Sequence, residues 1–300
     1  MDRLDSMRIF VRVAELGSFS AVARQMDVAR SVVTRQVAAL EAHLGVKLIA
    51  RSTRSLTLTS AGEIYLARCR EILNLVEAAE GGLAEEGSTP RGNLRLSVPL
   101  SFGLRQLMPL LLDFGRTYPE ISLDVDFSDR LVNLIEEGVD VAVRITSGLA
   151  PQDVARRIGS SRLMILASTD YLNRHGTPQH PSDLARHECL AYMPSQNAGW
   201  TFMIDGRPTL FPVRGRMRSN NGDALLDAAI RGLGVVSQPS FIAASAVEAG
   251  WVRPVLEDFP MPELGIYAVF PSNRYIPHRV RLLVDYLVER IGSKPYWERD

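Results

Sequence analysis

The sequence predicts a multidomain α+β protein with a small N-terminal helical domain, one long helix and a C-terminal α/β region. Three observations support this prediction. Two short helical patterns, separated by a break over residues 27–29, precede a basic hairpin pattern. A long run with apolar residues at heptad spacing follows, and beyond it strand patterns alternate with helix patterns. We therefore expect a helical module ahead of a larger α/β module.

The first module has the pattern of a helix, a tight turn and a second helix. Residues 18–26 begin with capping hydroxyls and carry apolar side chains at helical spacing, and residues 27–29 break this pattern. An apolar stripe on the second helix is expected to pack inward and consists of Val33, Val37, Leu40 and Leu44. The candidate DNA contacts lie on its opposite face and on the first helix, namely Ser20, Arg30, Ser31, Thr34 and Arg35. Arginine pairs bidentately with guanine in the major groove, and Ser or Thr serves base edges or phosphates.

A basic hairpin follows the second helix. β-prone runs at 46–50 and 55–58 flank the turn at 51–54. Its cations suit phosphates or a minor groove, and the residues concerned are Lys47, Arg51 and Arg54, with Thr53 between the last two. Any one of these residues alone is better explained as a solvated surface residue. The tight turn, the opposed helix faces and the basic hairpin together predict a winged helix-turn-helix that binds DNA.

Composition limits the other possibilities. The 300 residues carry 34 basic and 34 acidic side chains, and this balance alone argues against nucleic acid. Residues 20–60 nevertheless contain six basic and two acidic side chains, and local charge governs phosphate contact. Two cysteines, Cys69 and Cys189, form no disulfide framework. Because there is neither a signal-peptide pattern nor an apolar run of about 18 residues, we expect a soluble, cytoplasmic protein with no membrane partner.

The segment after the hairpin is predicted to be a long helix. Residues 60–63 form a capping-box pattern. A heptad seam then comprises Tyr65, Cys69, Ile72, Val76, Ala79 and Leu83. Such a seam predicts dimerisation, and the alternative is an amphipathic helix that lies on its own domain. Glycines at 81–82 and in 87–92 end the helix, so we expect a linker helix over 60–87 and a hinge over 88–92.

From Asn93 onward, strand patterns alternate with helix patterns, which predicts a largely parallel, doubly wound sheet. The expected elements are a strand at 94–98, a helix at 104–118, a strand at 121–127, a short helix at 129–137 and a strand at 141–143. A second α/β unit begins near Arg162, with a helix at 222–231 and a strand at 235–236. The strand at 266–270 and the helix at 277–290 are expected to return to the first unit.

The N-terminal sequence resembles that of LysR-type transcriptional regulators. Three runs carry the resemblance, which are FVRVAELGSFSAVARQ at 10–25, LEAHLGVKL at 40–48 and RSTRSLTLTSAG at 51–62. The match is close over about the first 65 residues, and the remainder matches only in the layout of strands and helices. One departure is Ala29, where the family usually has a Ser or Thr that opens the recognition helix. The lost cap typically costs ~1 kcal/mol, and Asp27 is a substitute if the helix starts earlier.

The resemblance implies a domain organisation and a set of partners. It implies a winged helix-turn-helix domain over 1–59 and a two-lobed, periplasmic-binding-protein-like effector domain over 93–300. Lobe I spans about 93–161 and 266–291, lobe II spans about 162–265, and two crossovers join them. The implied partners are a double-stranded DNA operator, a small-molecule effector, further copies of the chain in a homodimer or homotetramer, and RNA polymerase.

A ligand site is expected between the lobes. Open α/β sheets bind ligands at the carboxyl ends of strands beside helix N-termini, and the segments 98–103 and 219–223 have this character. In the family these loops line the effector pocket. The candidate contacts are Ser101, Phe102, Arg144, Asn220 and Gln238. They suit a small carboxylate or aromatic effector, with Arg144 as the counter-charge. The alternative is that the polar residues are helix caps and that Arg144 pairs with Asp140 or another neighbour.

Enzyme functions have little support in the sequence. There is no G-x-S-x-G, P-loop or dinucleotide-binding motif. His175, His180, His187 and Cys189 match no compact zinc spacing, so we expect neither a metal nor a cofactor.

The sequence therefore predicts an effector-controlled transcriptional regulator. A solute-binding module without gene control is the second hypothesis, and it leaves residues 18–58 unexplained. A small-molecule enzyme is the third, and it lacks a catalytic constellation.

Overall fold

A computed structural model of the chain describes residues 2–51, 56–81, 90–193, 199–271, 276–292 and 295–298. The chain divides into two compact units. The N-terminal unit comprises Met1–Thr89, Asn133–Gly138 and Arg274–His278. The C-terminal unit comprises Pro90–Val132, Val139–Asn273 and Arg279–Asp300.

In the described part of the N-terminal unit, helices pack around one apolar core and a hairpin follows the third helix. The elements are α1 Arg3–Leu16, α2 Phe19–Gln25, α3 Arg30–Leu44, β1 Ile49–Arg51, β2 Leu56–Leu58 and α4 Ser60–Gly81. Ser18 caps α2 by accepting a hydrogen bond from the Ala21 N–H at 3.2 Å. Val33, Val37 and Leu40 of α3 are fully buried. The predicted helix-turn-helix and its inward stripe are therefore confirmed.

The turn between α2 and α3 shows how the second helix begins. Asp27 has a φ of +52°, in the left-handed region, and the Val28 N–H donates to the Ala23 carbonyl at 3.0 Å. Helix α3 begins at Arg30, and Ala29 before it provides no side-chain cap. The expected substitution of the cap by Asp27 is wrong, because Asp27 turns the chain two residues ahead of the cap position.

The hairpin is fastened to the start of α4. Strands β1 and β2 pair antiparallel with Ile49 opposite Leu58, and the turn at 52–55 lies outside the described residues. Thr59, rather than the predicted Ser60, caps α4, since its Oγ1 accepts from the Gly62 N–H at 3.0 Å. An added Cβ on Gly62 would collide with the Leu48 carbonyl oxygen. The position therefore requires glycine, and α4 packs directly on the hairpin.

Helix α4 has two different sides. Cys69 is fully buried, and Tyr65 is half-buried with its ring centroid 5.8 Å from that of Phe10 in α1. The structure thus places the first two residues of the predicted dimerisation seam in the core of their own unit. Ile72 is exposed and Val76 is half-buried. The last two predicted seam positions, Ala79 (its side chain) and Leu83, lie outside the described residues.

The described part of the C-terminal unit contains two five-stranded sheets and a separate hairpin. From edge to edge, the first sheet consists of β4 Ile121–Phe127, β3 Gly92–Val98, β5 Val141–Thr146, β14 Leu264–Phe270 and β6 Val154–Ser161. The second sheet consists of β11 Arg218–Ser219, β8 Cys189–Tyr192, β12 Val235–Pro239, β7 Leu163–Ala167 and β13 Arg253–Val255. The hairpin consists of β9 Gly199–Ile204 and β10 Arg207–Pro212. We refer to the regions around the two sheets as lobe I and lobe II.

Both sheets are mixed, whereas the sequence pattern predicted largely parallel ones. Strand β3 runs parallel to β4 and β5, and β12 runs parallel to β8. Strand β14 is antiparallel to β5 and β6, and β7 is antiparallel to β12 and β13. The reason lies in the crossovers. The chain leaves lobe I through β6 and returns through β14, so these two strands lie side by side in opposite directions.

The helices of the C-terminal unit position the loops between the lobes. Helix α5 Leu100–Phe102 continues through a π-helical turn, Gly103–Leu107, into α6 Met108–Thr117. The later helices are α7 Thr169–His175, α8 Gly222–Ile230, α9 Ser240–Glu248 and α10 His278–Ile291, with 3₁₀ turns at Pro181–Arg186 and Tyr296–Glu298. The predicted helix at 129–137 is wrong, since only a turn at 134–138 forms there. Asn133 caps this single turn by accepting from the Ile135 N–H at 3.3 Å, and Gly138 ends it with a φ of +64°.

Candidate nucleic-acid interface and effector cleft

The outward face of α3 carries the residues predicted to contact DNA. Arg30, Ser31 and Arg35 are exposed and Thr34 is half-buried, opposite the buried stripe of the same helix. Ser20 is exposed in the first turn of α2. In the described part of the chain, no carboxylate forms an ion pair with Arg30 or Arg35. Both guanidinium groups can therefore approach an external anion.

A buried carboxylate, which sequence reasoning missed, holds the hairpin against α3. Glu41 is only 5% exposed, and its Oε1 accepts from the N–H groups of Leu48 at 3.0 Å and Ile49 at 3.2 Å. Its Oε2 accepts from Lys47 Nζ at 2.6 Å. Burial raises the pKa of Glu41, but the bonds from Lys47, Ile49 and Leu48 outweigh it, so the pKa lies below its ordinary value. Glu41 therefore fixes the position of strand β1.

Of the three cations predicted at the hairpin, the structure describes the side chain of Lys47 alone. Lys47, counted from the sequence among the phosphate-binding cations, is paired with Glu41. Arg51 lies in β1, but its side chain and the residues Thr53 and Arg54 are outside the described part of the chain. Their contacts with DNA stay predictions.

We expect Glu41→Gln to lower the free energy of unfolding by ~1–3 kcal/mol at pH 7, because the buried hydrogen bonds lose their charged acceptor. The folded-state pKa of Glu41 is depressed, so its stabilisation is present above the unfolded-state pKa and is lost as the pH falls through the folded-state value. The difference between wild type and variant should shrink between pH 5 and pH 3. Urea unfolding at several pH values measures it.

The matched control is Asp5→Asn, which removes an exposed carboxylate that pairs only with Arg8 among the described residues, at 3.2 Å. This control should cost less than ~1 kcal/mol. Equal losses for the two variants at pH 7 would contradict a structural role for the Glu41 carboxylate.

The two lobes meet where β3 enters α5. The Ser101 hydroxyl donates a hydrogen bond to Asp223 Oδ2, in the first turn of α8. Four residues after Ser101, Arg105 donates to Asp223 Oδ1 from Nε at 2.9 Å and from Nη2 at 2.6 Å. Two side chains of lobe I therefore hold one carboxylate of lobe II.

A second carboxylate lies next to this contact. Asp129 Oδ1 accepts from the Leu100 N–H at 3.1 Å. Burial raises the pKa of Asp129, the Leu100 bond opposes this rise, and the charge of Asp223 adds to it. Burial and the charge of Asp129 raise the pKa of Tyr192 to about 12. This contact between the lobes therefore combines two carboxylates with the guanidinium of Arg105.

Three of the predicted effector contacts are buried, namely Ser101, Phe102 and Gln238. The ring of Phe102 lies 5.1 Å from that of Phe241 and 5.7 Å from that of Trp297, in edge-to-face geometry. Gln238 donates from Nε2 to the Gly222 carbonyl at 2.9 Å. These two side chains hold the lobes and the start of α8 in place.

Arg144 fits the alternative explanation, in which it pairs with a neighbour, and Asn220 is not a helix cap. Arg144 donates to Asp153 at 3.0 Å, so it pairs with a neighbour of lobe I, though not with Asp140. Asn220 is exposed, and Asn221 caps α8 by accepting from the Ala224 N–H at 2.9 Å. Arg105, which sequence reasoning missed, is the cation that meets the start of α8 in lobe II. Its spacing of four residues from Ser101 was the available signal.

The histidine cluster has ordinary contacts. His187 Nδ1 lies 3.2 Å from the Tyr171 hydroxyl, and His180 Nδ1 lies 2.8 Å from the Ser182 hydroxyl. Across the described ranges, no three His, Cys, Asp or Glu side chains are grouped as metal ligands would be. None of the helices in those ranges has the length and apolar character needed to span a bilayer.

Family models match both units of the chain. The model for a bacterial regulatory helix-turn-helix protein of the lysR family matches residues 4–63, and the model for the LysR substrate binding domain matches residues 87–292. The chain belongs to the LysR family of transcriptional regulators. The resemblance seen in the N-terminal sequence is thereby confirmed, and the second match shows that the family relationship extends through the α/β region.

Relatives of nearly full length agree with this assignment. An HTH-type transcriptional regulator of Xanthomonas campestris pv. campestris is 37% identical over 296 residues, which cover 96% of this chain and 86% of the relative. The structure of CrgA, a LysR-type regulator from Neisseria meningitidis, is 33% identical with a TM-score of 0.61 and covers 96% of this chain and 99% of CrgA. The full-length structure of the Vibrio cholerae virulence activator AphB is 27% identical with a TM-score of 0.58, covering 96% and 99%.

LysR-type regulators bind DNA and small-molecule effectors. This member of the family is therefore a transcriptional regulator with an effector-binding domain, and not an enzyme. The region matched as helix-turn-helix contains α2, α3 and the hairpin, and the region matched as substrate-binding domain contains both sheets. The hypothesis of a solute-binding module without gene control is excluded by the first of these matches.

Proposed function

We propose that this LysR-type regulator recognises a specific double-stranded DNA operator through α3 and the hairpin. The observation that carries the proposal is the outward face of α3, where Arg30 and Arg35 are exposed above a fully buried stripe. A helix anchored in this way can enter the major groove, where guanidinium groups pair with guanine. Ser20, Ser31 and Thr34 would supply hydroxyls, and Arg51, Thr53 and Arg54 would contact phosphates or the minor groove.

The regulator is proposed to act as a homodimer, or as a homotetramer built from dimers. Helix α4 exposes large apolar side chains along one side, Ile64, Ile72 and Leu75. A second copy of the helix would cover this stripe, as in other paired helices. Two copies would then contact two half-sites of the operator.

The effector is proposed to be a small carboxylate, with or without an aromatic ring, that binds between the lobes. Ser101 and Arg105 provide its polar contacts, and Asn220 lies exposed beside α8. Phe102 and Gln238 are buried and would support the residues that contact the effector. Arg144 would influence the site only indirectly, through its ion pair with Asp153. Effector binding would shift the population of lobe arrangements and so change the spacing of the DNA-binding domains.

Fluorescence anisotropy with DNA from beside the regulator's own gene tests the DNA-binding proposal. We expect that DNA to bind about 10³-fold or more tightly than unrelated DNA of equal length at physiological salt. Affinity for both should fall steeply as salt rises. Equal affinity for the two would contradict operator recognition, and no binding to either would contradict the proposed function altogether.

A further inference from the structure

We propose that Asp223 is a built-in competitor of the effector. Its carboxylate occupies an anion receptor on lobe I, formed by Ser101 and Arg105, and a monocarboxylate effector replaces it there. The proposal rests on the proposed function, since it takes the cleft between the lobes to be the effector site.

The receptor on lobe I has the chemistry of a carboxylate site. Ser101 donates to one oxygen of Asp223, while Nε and Nη2 of Arg105 donate to the other at 2.9 and 2.6 Å. A guanidinium offers paired donors in one plane, and this arrangement favours carboxylates over other acceptors. The structure therefore already shows a carboxylate bound at this position, contributed by the protein itself.

Ser101 and the backbone turn that carries Arg105 are held in place without help from Asp223. Ser101 is only 7% exposed, at the start of α5. Gly103 in the following π-helical turn packs so tightly that an added Cβ would collide with the side chains of Phe127 and Val98. Gln106 in the same turn is buried and donates to the Phe241 carbonyl at 3.0 Å. The Ser101 hydroxyl and the backbone that carries Arg105 would thus keep their positions when the Asp223 carboxylate leaves.

Asp223 itself is well placed to be displaced. The side chains of Arg105 and Asp223 are 38% and 36% exposed, so a dissolved anion can reach them and a released Asp223 meets water. Ion pairs that are this exposed to solvent are weak. Asp223 belongs to lobe II, so its release also removes a tie between the lobes. Ligand binding is thereby linked to lobe rearrangement.

The neighbouring carboxylate selects the charge of the ligand. Asp129 is bound to the Leu100 N–H beside Ser101. Burial and, to a smaller extent, the charge of Asp223 raise its pKa, so the two carboxylates repel each other. A ligand group with two negative charges would be repelled more strongly than one carboxylate. The receptor should therefore prefer monocarboxylates to phosphate or sulfate.

Calorimetric titration of the full chain with sodium benzoate and sodium acetate tests the proposal. Asp223→Asn keeps the shape of the side chain and weakens its competition, so benzoate or acetate should bind at least about tenfold more tightly than to the wild type. The affinity for sodium sulfate, measured at the same ionic strength, should increase much less in Asp223→Asn. Adding Arg105→Gln to this variant should remove the gain. Asp227→Asn is the matched control on the same helix, because Asp227 pairs with Arg231 at 2.8 Å, and it should behave as the wild type does.

Several results would overturn the proposal. These are equal carboxylate affinity in wild type and Asp223→Asn, a gain that survives Arg105→Gln, or an equal gain for sulfate. Asp223→Ser gives a second variant if the asparagine variant melts early. Operator binding by the wild type is measured separately. If the wild type does not bind the operator, the proposed function is contradicted. If it binds the operator and Asp223→Asn shows no gain in carboxylate affinity, only the role of Asp223 is contradicted.

Discussion

Arg35→Ala is expected to keep the fold and to lose operator affinity by ~1–3 kcal/mol if Arg35 contacts a base bidentately. Arg35 is exposed on α3, opposite Val33 and Val37, so its removal leaves the core of the helix-turn-helix intact. Anisotropy titrations at one fixed salt concentration, with operator DNA and unrelated DNA, measure the loss. A larger loss on the operator than on unrelated DNA identifies base readout.

Arg231→Ala is the control for this prediction. It also removes one exposed guanidinium, at the end of α8, where Arg231 pairs with Asp227 at 2.8 Å. Operator affinity should stay at the wild-type value. If Arg35→Ala binds the operator as tightly as this control, Arg35 does not touch DNA, and an equal loss on both DNAs would assign it to a phosphate.

The DNA-binding half could be predicted from the sequence because its signals are local. The cap at Ser18 and the buried positions Val33, Val37 and Leu40 follow from spacings of three and four residues along one helix. Because only three residues separate the two helical patterns, the two helices must lie next to each other in the fold. The exposed positions of α3 then follow from the buried ones.

Glu41 shows where local signals end. In the sequence it is one more charged residue on a helix, next to the buried stripe. Its burial depends on N–H groups at Leu48 and Ile49, seven and eight residues further on, which become partners only after the chain has turned back. The heptad pattern of α4 has the same weakness. It defined an apolar side but did not show that Cys69 would pack in its own core and not against a second chain.

The effector half depends still more on tertiary structure. The strands were predictable from alternation and the helices from periodicity, but the direction of β14 depends on the route of the chain through lobe II. Arg105 and Asp223 are 118 residues apart in sequence and meet only when the two lobes are together. Arg144 looked like the better counter-charge because it follows a buried strand, and its partner Asp153 could not be distinguished from other acidic neighbours.

The double variant Ile72→Asp with Leu75→Asp is expected to convert the proposed dimer into a monomer. Both side chains are exposed on α4, where a second copy would bury them. Two buried charges in place of two apolar contacts should raise the dimer dissociation constant by roughly 100-fold or more. Sedimentation velocity at micromolar concentration measures this change directly. Binding to an operator with two half-sites should be lost, because each monomer then contacts only one half-site.

The control is Leu210→Asp with Leu233→Asp, which changes two exposed apolar residues of lobe II and should leave the dimer intact. The α4 variant should still bind a single half-site with the weak affinity of one DNA-binding domain, since the half-buried Tyr65 and the buried Cys69, which join α4 to its own core, are unchanged. A dimer that survives both aspartates would place the interface elsewhere, in the effector domain. Loss of half-site binding as well would mean that α4 contributes to the fold of the DNA-binding domain through Ile72 or Leu75, and the stripe would then be no evidence for pairing.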